Sequence, residues 1–181
     1  MNRKYDIIYA DPPWRYEYPP MGATNRSIEN HYPTMSIDEL KQMVIPMQSN
    51  AVMFMWASAP KLKESIELLE FWGFTYRTCI VWDKKVIGMG YWARNQHELL
   101  LIGVRGHFSP PAPTLRISSI YSKKRTEHSA KPTFFRTWIS EAYPNKTKLE
   151  MFARERIEGW DAWGNDVPTH SQKILVQAVE A

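Results

Sequence analysis

Apolar residues recur along this chain in two rhythms, and the alternation between them lays out an order of strands and helices. Short apolar runs at 6–10, 51–56, 77–82, 98–104, 148–153 and 160–163 read as six strands, bounded by turn-forming residues. Between them, spacings of three and four predict helices. Ser36-Ile37-Asp38-Glu39 is a capping box, followed by Leu40, Met43, Val44 and Met47 at helical spacing, with Pro46 expected to end or distort that helix. Pro60 opens a second helix whose Leu62, Ile66 and Leu69 share a face, and Gly73 is placed to close it. Pro132 opens a third, with Phe135, Trp138, Ile139 and Ala142 on one side and Pro144-Asn145 as its stop. After Pro168, Ile174, Leu175, Ala178 and Val179 predict a surface helix or tail over 169–181.

Strands alternating with helical periods predict an α/β fold, a mostly parallel sheet with helices on both faces, in one domain over 1–168. Three stretches follow neither rhythm: 15–33, 83–95 and 106–131. The first is long for a connection in a compact domain; such loops are usually functional or mobile, and the expectation is a substrate-contacting flap, with a disordered insertion as the alternative.

Composition narrows the picture further. Among 181 residues, 13 prolines, 8 tryptophans and 9 tyrosines favour rigid, aromatic-lined loops suited to a flat ligand. A formal charge of +4 permits a polyanionic partner without demanding one. Cys79 is the only cysteine, which excludes an internal disulfide and a cysteine zinc cluster. No apolar run reaches the length of a membrane span or a signal-peptide core, so a soluble, cytoplasmic protein is expected. The histidines lack metal-ligand spacing, phosphate-loop and serine-hydrolase patterns are absent, and no metal is expected.

The first strand runs straight into Asp11-Pro12-Pro13-Trp14. The prolines forbid further regular hydrogen bonding, so their carbonyls are expected to be free, and Trp14 offers a flat π-face beside the Asp11 carboxylate. A carboxylate, rigid carbonyls and an aromatic plate suit the grip of a planar base by its exocyclic amine. The other reading is a strand ending in a proline turn, with Trp14 as a core plug. Other polar residues stand at element ends: Arg154 after the strand at 148–153, Asn165 after the last strand, and Lys131 before a helix. In a parallel sheet such ends meet at a topological switch point, where ligands bind.

Asp11 to Trp14, together with His31-Tyr32-Pro33, Glu98 to Gly106, Ser129-Ala130-Lys131-Pro132, Leu149 to Arg154 and Trp163-Gly164-Asn165, resembles the ordered landmarks of the MT-A70 family of adenine-N6 methyltransferases. The resemblance implies a Rossmann-like methyltransferase sheet with permuted motif order, the catalytic motif N-terminal and the cofactor strand C-terminal. It also implies S-adenosylmethionine as cofactor and methyl transfer to adenine N6 in a nucleic acid. Asp11, Pro12, Pro13 and Trp14 would be catalytic. Lys131 would bind the methionine carboxylate, Phe152 would line the pocket, and Arg154 and Asn165 would hold ribose, with Asp11 and Glu150 also on the cofactor side. Trp14, Tyr32, Glu98, Lys123, Lys124 and Arg125 would face the acceptor. After Arg154 the chain reads Glu155-Arg156-Ile157, where eukaryotic catalytic subunits carry a His-Asn pair, so DNA is favoured over RNA. The alternative is a non-catalytic nucleic-acid-binding subunit of a heteromeric methyltransferase. A homodimer or a partner methyltransferase subunit is compatible with either.

Overall fold

The computed structural model describes residues 3–16, 34–90, 92–125 and 130–164. Its elements in chain order are β1 (Tyr5–Ala10), α1 (Ile37–Lys41), β2 (Met47–Ala57), α2 (Leu62–Phe71), β3 (Thr75–Asp83), β4 (His97–Arg105), β5 (Ile120–Ser122), α3 (Thr133–Ala142), β6 (Lys148–Met151) and β7 (Asp161–Trp163). The strands form one seven-stranded sheet in the order β5-β3-β4-β2-β1-β6-β7. Four of its pairings are parallel; β4 alone runs against both neighbours, β2 and β3. The expected architecture, mostly parallel with helices on both faces, is what forms. The exception at β4 follows from its connection, a hairpin over 84–96 with no crossover helix.

Period-two alternation divides the core. Along β2, Ala51, Met53, Met55 and Ala57 pack with Leu40 of α1 and Leu68, Leu69 and Trp72 of the α2 region. Val52, Phe54 and Trp56 of the same strand point the other way, to Phe135, Trp138 and Ile139 of α3. β1 does likewise, sending Ile8 and Ala10 to one face and Ile7 and Tyr9 to the other. Strands buried on both faces are why these segments read as continuous apolar runs.

Four expectations need correction. The Ser36 capping box is present, its hydroxyl accepting from the Glu39 N–H, but α1 ends at Lys41, so Met43, Val44 and Met47 do not continue it. Pro46 cannot extend a helix and its carbonyl instead accepts the Tyr5 N–H at 2.9 Å, which starts β2 at Met47 rather than Ala51. The stretch 106–131 contains a strand, β5, that adds Ile120–Ser122 in parallel to β3. Finally, β6 stops at Met151, because Phe152 adopts φ +62°, the left-handed region that bulky residues avoid. The predicted helix at 169–181 lies outside the described residues.

Gly103 of β4 lies directly under Leu69 of α2. A Cβ added there would sit 2.6 Å from Leu69 Cδ2 and 3.0 Å from its Cγ, and Leu69 is fully buried and cannot swing away. Gly103→Ala should therefore destabilise the fold by about 1–3 kcal/mol through overpacking. Urea unfolding of the two proteins measures this; an unchanged midpoint would mean that α2 shifts freely over the sheet.

Candidate functional site

The strand order reverses at β1: β2 lies on one side of it and β6 on the other, with α1 and α2 on one face of the sheet and α3 on the opposite face. That is a topological switch point, and the ligand crevice of such a sheet lies outside its carboxyl ends there. Asp11 follows β1 and Phe152 follows β6, which pair through Ala10 and Met151. Because β4 is reversed, its beginning lies at this same edge, with Glu98 opposite Trp82. Lys131 approaches from the turn before α3, whose N-cap is Pro132.

These pieces meet as a chain of charges. Lys131 Nζ donates to Asp11 Oδ2 at 2.7 Å and lies 3.4 Å from Glu98 Oε2, while Lys84 Nζ reaches Glu98 Oε1 at 3.1 Å. Lys131 also stands 5.7 Å above the ring centre of Trp56. Burial disfavours the Lys131 cation, yet Asp11 and Glu98 outweigh it and hold the amine well above its ordinary range. Burial raises Asp11 above the usual carboxylate value and is only partly opposed by Lys131, with Glu98 adding to the rise and Arg154 opposing it. Burial would raise Glu98 too, but Lys131 and Lys84 prevail and place it below 4.5.

A second set of charges supports β6. Arg136, buried on the inner side of α3, donates to both Glu150 oxygens at 3.1 and 3.2 Å and to Glu155 at 2.9 Å. Burial lifts Glu150 despite Arg136, and Asp11 contributes to the lift. Just beyond, Phe152 meets Trp163 edge-on with ring centres 5.2 Å apart. The indole N–H of Trp163 is buried with no partner among the described residues. Gly164 lies so close to this turn that a Cβ would sit 2.2 Å from the Ala153 carbonyl oxygen.

The proline turn departs from expectation. Pro12 O accepts the Trp14 N–H at 2.9 Å, and Pro13 O accepts the Met35 N–H at 2.7 Å where the chain returns beside Trp14. Neither carbonyl is free, though each retains a second lone pair. Trp14 is 7 % exposed and lies in the core, its indole directed at the Trp56 carbonyl at 3.4 Å, so it presents no open plate to a base. The return of the chain at Met35 covers it.

Asp11, Lys131, Glu98, Glu150, Phe152 and Arg154 thus stand at or beside one edge of the sheet. Lys123, Lys124 and Arg125 are exposed at its β5 end, bonded through Lys123 N–H and Arg125 N–H to the Asp83 and Lys84 carbonyls. Tyr32 and Asn165 lie outside the described residues. Among the described residues, no group of three or more His, Cys, Asp or Glu is placed to hold a metal ion, and no helix is long and apolar enough to cross a membrane. Sequence reasoning missed Lys84, Arg136 and Tyr9, whose buried hydroxyl accepts from Trp56 Nε1 at 2.6 Å. Arg136 left one trace, a charge beside Phe135 on an otherwise apolar helix face.

A doubly covered, mostly parallel sheet with an acidic ligand edge at its switch point has the Rossmann-like architecture of methyltransferases. The chain belongs to the MT-A70 family, which matches residues 5–166. It is 32% identical to the Type II methyltransferase M.MunI of Mycoplasma sp, over 97% of this chain and 83% of that protein. It is also 26% identical to the human N(6)-adenosine-methyltransferase catalytic subunit METTL3 and 25% identical to the human N(6)-adenine-specific methyltransferase METTL4. Those alignments take in 91% and 99% of this chain, which spans 28% and 41% of the length of the two human proteins.

Glu98 gives the charge chain a pH signature. Its folded pKa lies below its unfolded value, so its stabilisation is complete above about pH 4.5 and is lost as pH falls through the folded pKa. Glu98→Gln should lower stability at pH 7 by about 1.5–3 kcal/mol and flatten its decline below pH 4.5. Thermal midpoints between pH 7 and 3 test this; parallel curves for the two proteins would remove Glu98 from the network.

Proposed function

We propose that this protein transfers a methyl group from S-adenosylmethionine to N6 of adenine in a nucleic acid, DNA ahead of RNA, as a catalyst in its own right rather than as a non-catalytic subunit. The observation that carries this reading is Asp11, a carboxylate held by Lys131 at the carboxyl end of β1, inside the Asp-Pro-Pro-Trp turn of a methyltransferase fold. The relatives named for adenine methylation lend it support.

The adenine amine is a poor nucleophile because its lone pair is delocalised into the ring. Asp11 accepting one N–H, and the spare lone pair of the Pro12 carbonyl accepting the other, draw the nitrogen toward tetrahedral geometry and localise that pair. Asp11 is then placed to take the proton that the methylated nitrogen must lose. Its raised pKa makes it a stronger acceptor than an exposed aspartate, while Lys131 keeps it charged until then. Alignment of the two reactants supplies much of the remainder.

The β6–β7 end suits the cofactor. An ammonium has three donors, and two of those on Lys131 go to Asp11 and Glu98 among the described residues, leaving one for the methionine carboxylate. The unpartnered Trp163 indole offers a donor beside Phe152, and Arg154 and Glu150 flank the same turn. Bound there, S-adenosylmethionine supplies an electrophilic methyl group; the chain supplies position and charge. Trp56 lies under the Lys131 ammonium that holds Asp11.

Tritium transfer from S-adenosylmethionine to matched DNA and RNA oligonucleotides, with nucleoside analysis, should yield N6-methyladenine, more from DNA. Asp11→Asn should cut turnover by about 10²–10⁴-fold, far more than its loss of the Lys131 ion pair lowers the folded fraction at 25 °C. A variant that keeps its turnover would remove Asp11 from the chemistry. Neutralising Lys123, Lys124 and Arg125 together should reduce the slope of log affinity against log salt by about 0.9 for each duplex-DNA phosphate that the variant no longer neutralises. An identical slope would make that run a solvated turn.

A further inference from the structure

The hairpin between β3 and β4 displays apolar side chains that the fold does not use. Ile87, Met89 and Trp92 are 57%, 75% and 103% exposed, within six residues of one another. The loop that carries them is well held. Lys84 N–H bonds to the Gln96 carbonyl, Gly88 N–H to Asn95, Asn95 N–H to Met89, and the Arg94 side chain to the Gly88 carbonyl. Asp83 anchors its stem through Gln96 Nε2 and the Lys85 N–H.

Two further observations say what this tip meets. The surface around it is cationic: Arg94 is exposed on the loop, and Lys123, Lys124 and Arg125 are strapped along its stem by bonds to Asp83 and Lys84. A second copy would bring the same cations face to face, whereas a polyanion is drawn in. The stem also belongs to the active edge. Lys84 pairs with Glu98, which shares Lys131 with Asp11, and β4 lies two strand spacings, about 10 Å, from β1.

We propose that Ile87, Met89 and Trp92 form a base-stacking wedge that contacts the nucleobases beside the target adenine and holds the stack open while that adenine occupies the Asp11 site. The proposal rests on the nucleic-acid methyltransferase reading above. An adenine amine that is paired and stacked cannot reach Asp11 until the base leaves the helix. Apolar side chains driven between base steps are a known means of opening them, and an exposed indole stacks on any base. With Trp14 buried, Trp92 takes over the stacking role that the Asp-Pro-Pro-Trp motif suggested for its own tryptophan.

The test compares wild type, Trp92→Ala and Trp92→Phe on one oligonucleotide presented as a paired duplex, with the adenine mismatched, and as a single strand. Trp92 touches little of the fold, so its replacement should leave thermal unfolding unchanged. Trp92→Ala should lower kcat/KM on the paired duplex about 5- to 150-fold, the worth of one stacked base, and less on the mismatched duplex. Trp92→Phe should restore most of the loss. The salt slope of binding should not change, because the phosphate contacts remain. In wild type, 2-aminopurine beside the target should change its fluorescence on binding, and in Trp92→Ala it should not.

Equal kcat/KM for wild type and Trp92→Ala on every substrate, with wild type active, would overturn the wedge alone. Sedimentation showing a wild-type dimer that Trp92→Ala converts to monomer would make the tip a subunit contact and also overturn it. Wild type inactive on every polynucleotide would instead overturn the functional reading, and the wedge with it.

Discussion

One ammonium group organises the candidate active edge of this molecule. Lys131 joins Asp11 and Glu98, which come from strands that are not neighbours, and it does so from the root of a helix on one face of the sheet. Without the cation between them, two partly desolvated carboxylates would face one another, and each would push the other toward protonation. The position of α3 is therefore an electrostatic matter as well as one of packing. Phe135, Trp138 and Ile139 seat the helix on the sheet, and the seat brings Lys131 within reach of both acids. Stability and the chemistry proposed for Asp11 draw on the same contact.

The sheet beneath makes that contact possible by presenting many element ends at one edge. In an all-parallel arrangement only carboxyl ends would meet there. The reversed β4 adds an amino end, and so brings Glu98 to the edge and sends its hairpin outward beyond it. On the other side of β1, Arg136 grips Glu150 and Glu155 together and braces the residues on both sides of the Phe152 turn. Both sets of charges begin on or just before α3, one on each side of the strand that ends in Asp11.

The sequence makes the scaffold legible wherever one rhythm dominates. The apolar runs at β1, β2, β3 and β4, the Ser36 capping box and the α2 and α3 faces are all readable, because burial on both faces or on one stripe leaves a direct trace in residue order. β5 escapes because three residues, Ile120 to Ser122, are too few to show alternation, and they pair with β3 at an edge that local pattern does not reveal. The start of β2 is obscured because Met43, Val44 and Met47 keep a helical spacing that Pro46 overrides through a bond to Tyr5, distant in sequence. Within the site, Asp11, Lys131 and Glu98 are legible as element-end residues, but not as partners. Pairing is a long-range property, and so is the burial of Trp14, which depends on the chain returning at Met35.

Phe152 carries a consequence beyond its own turn. Its backbone lies where glycine would rest without strain, and residues held there are disfavoured by about 1–3 kcal/mol. Glycine at this position would ease the backbone but remove the ring that meets Trp163. What the ring supplies in return is packing, against the core on one side and Trp163 on the other. The turn after β6 therefore sets backbone strain against side-chain packing, and a glycine there would relieve the one only by giving up the other.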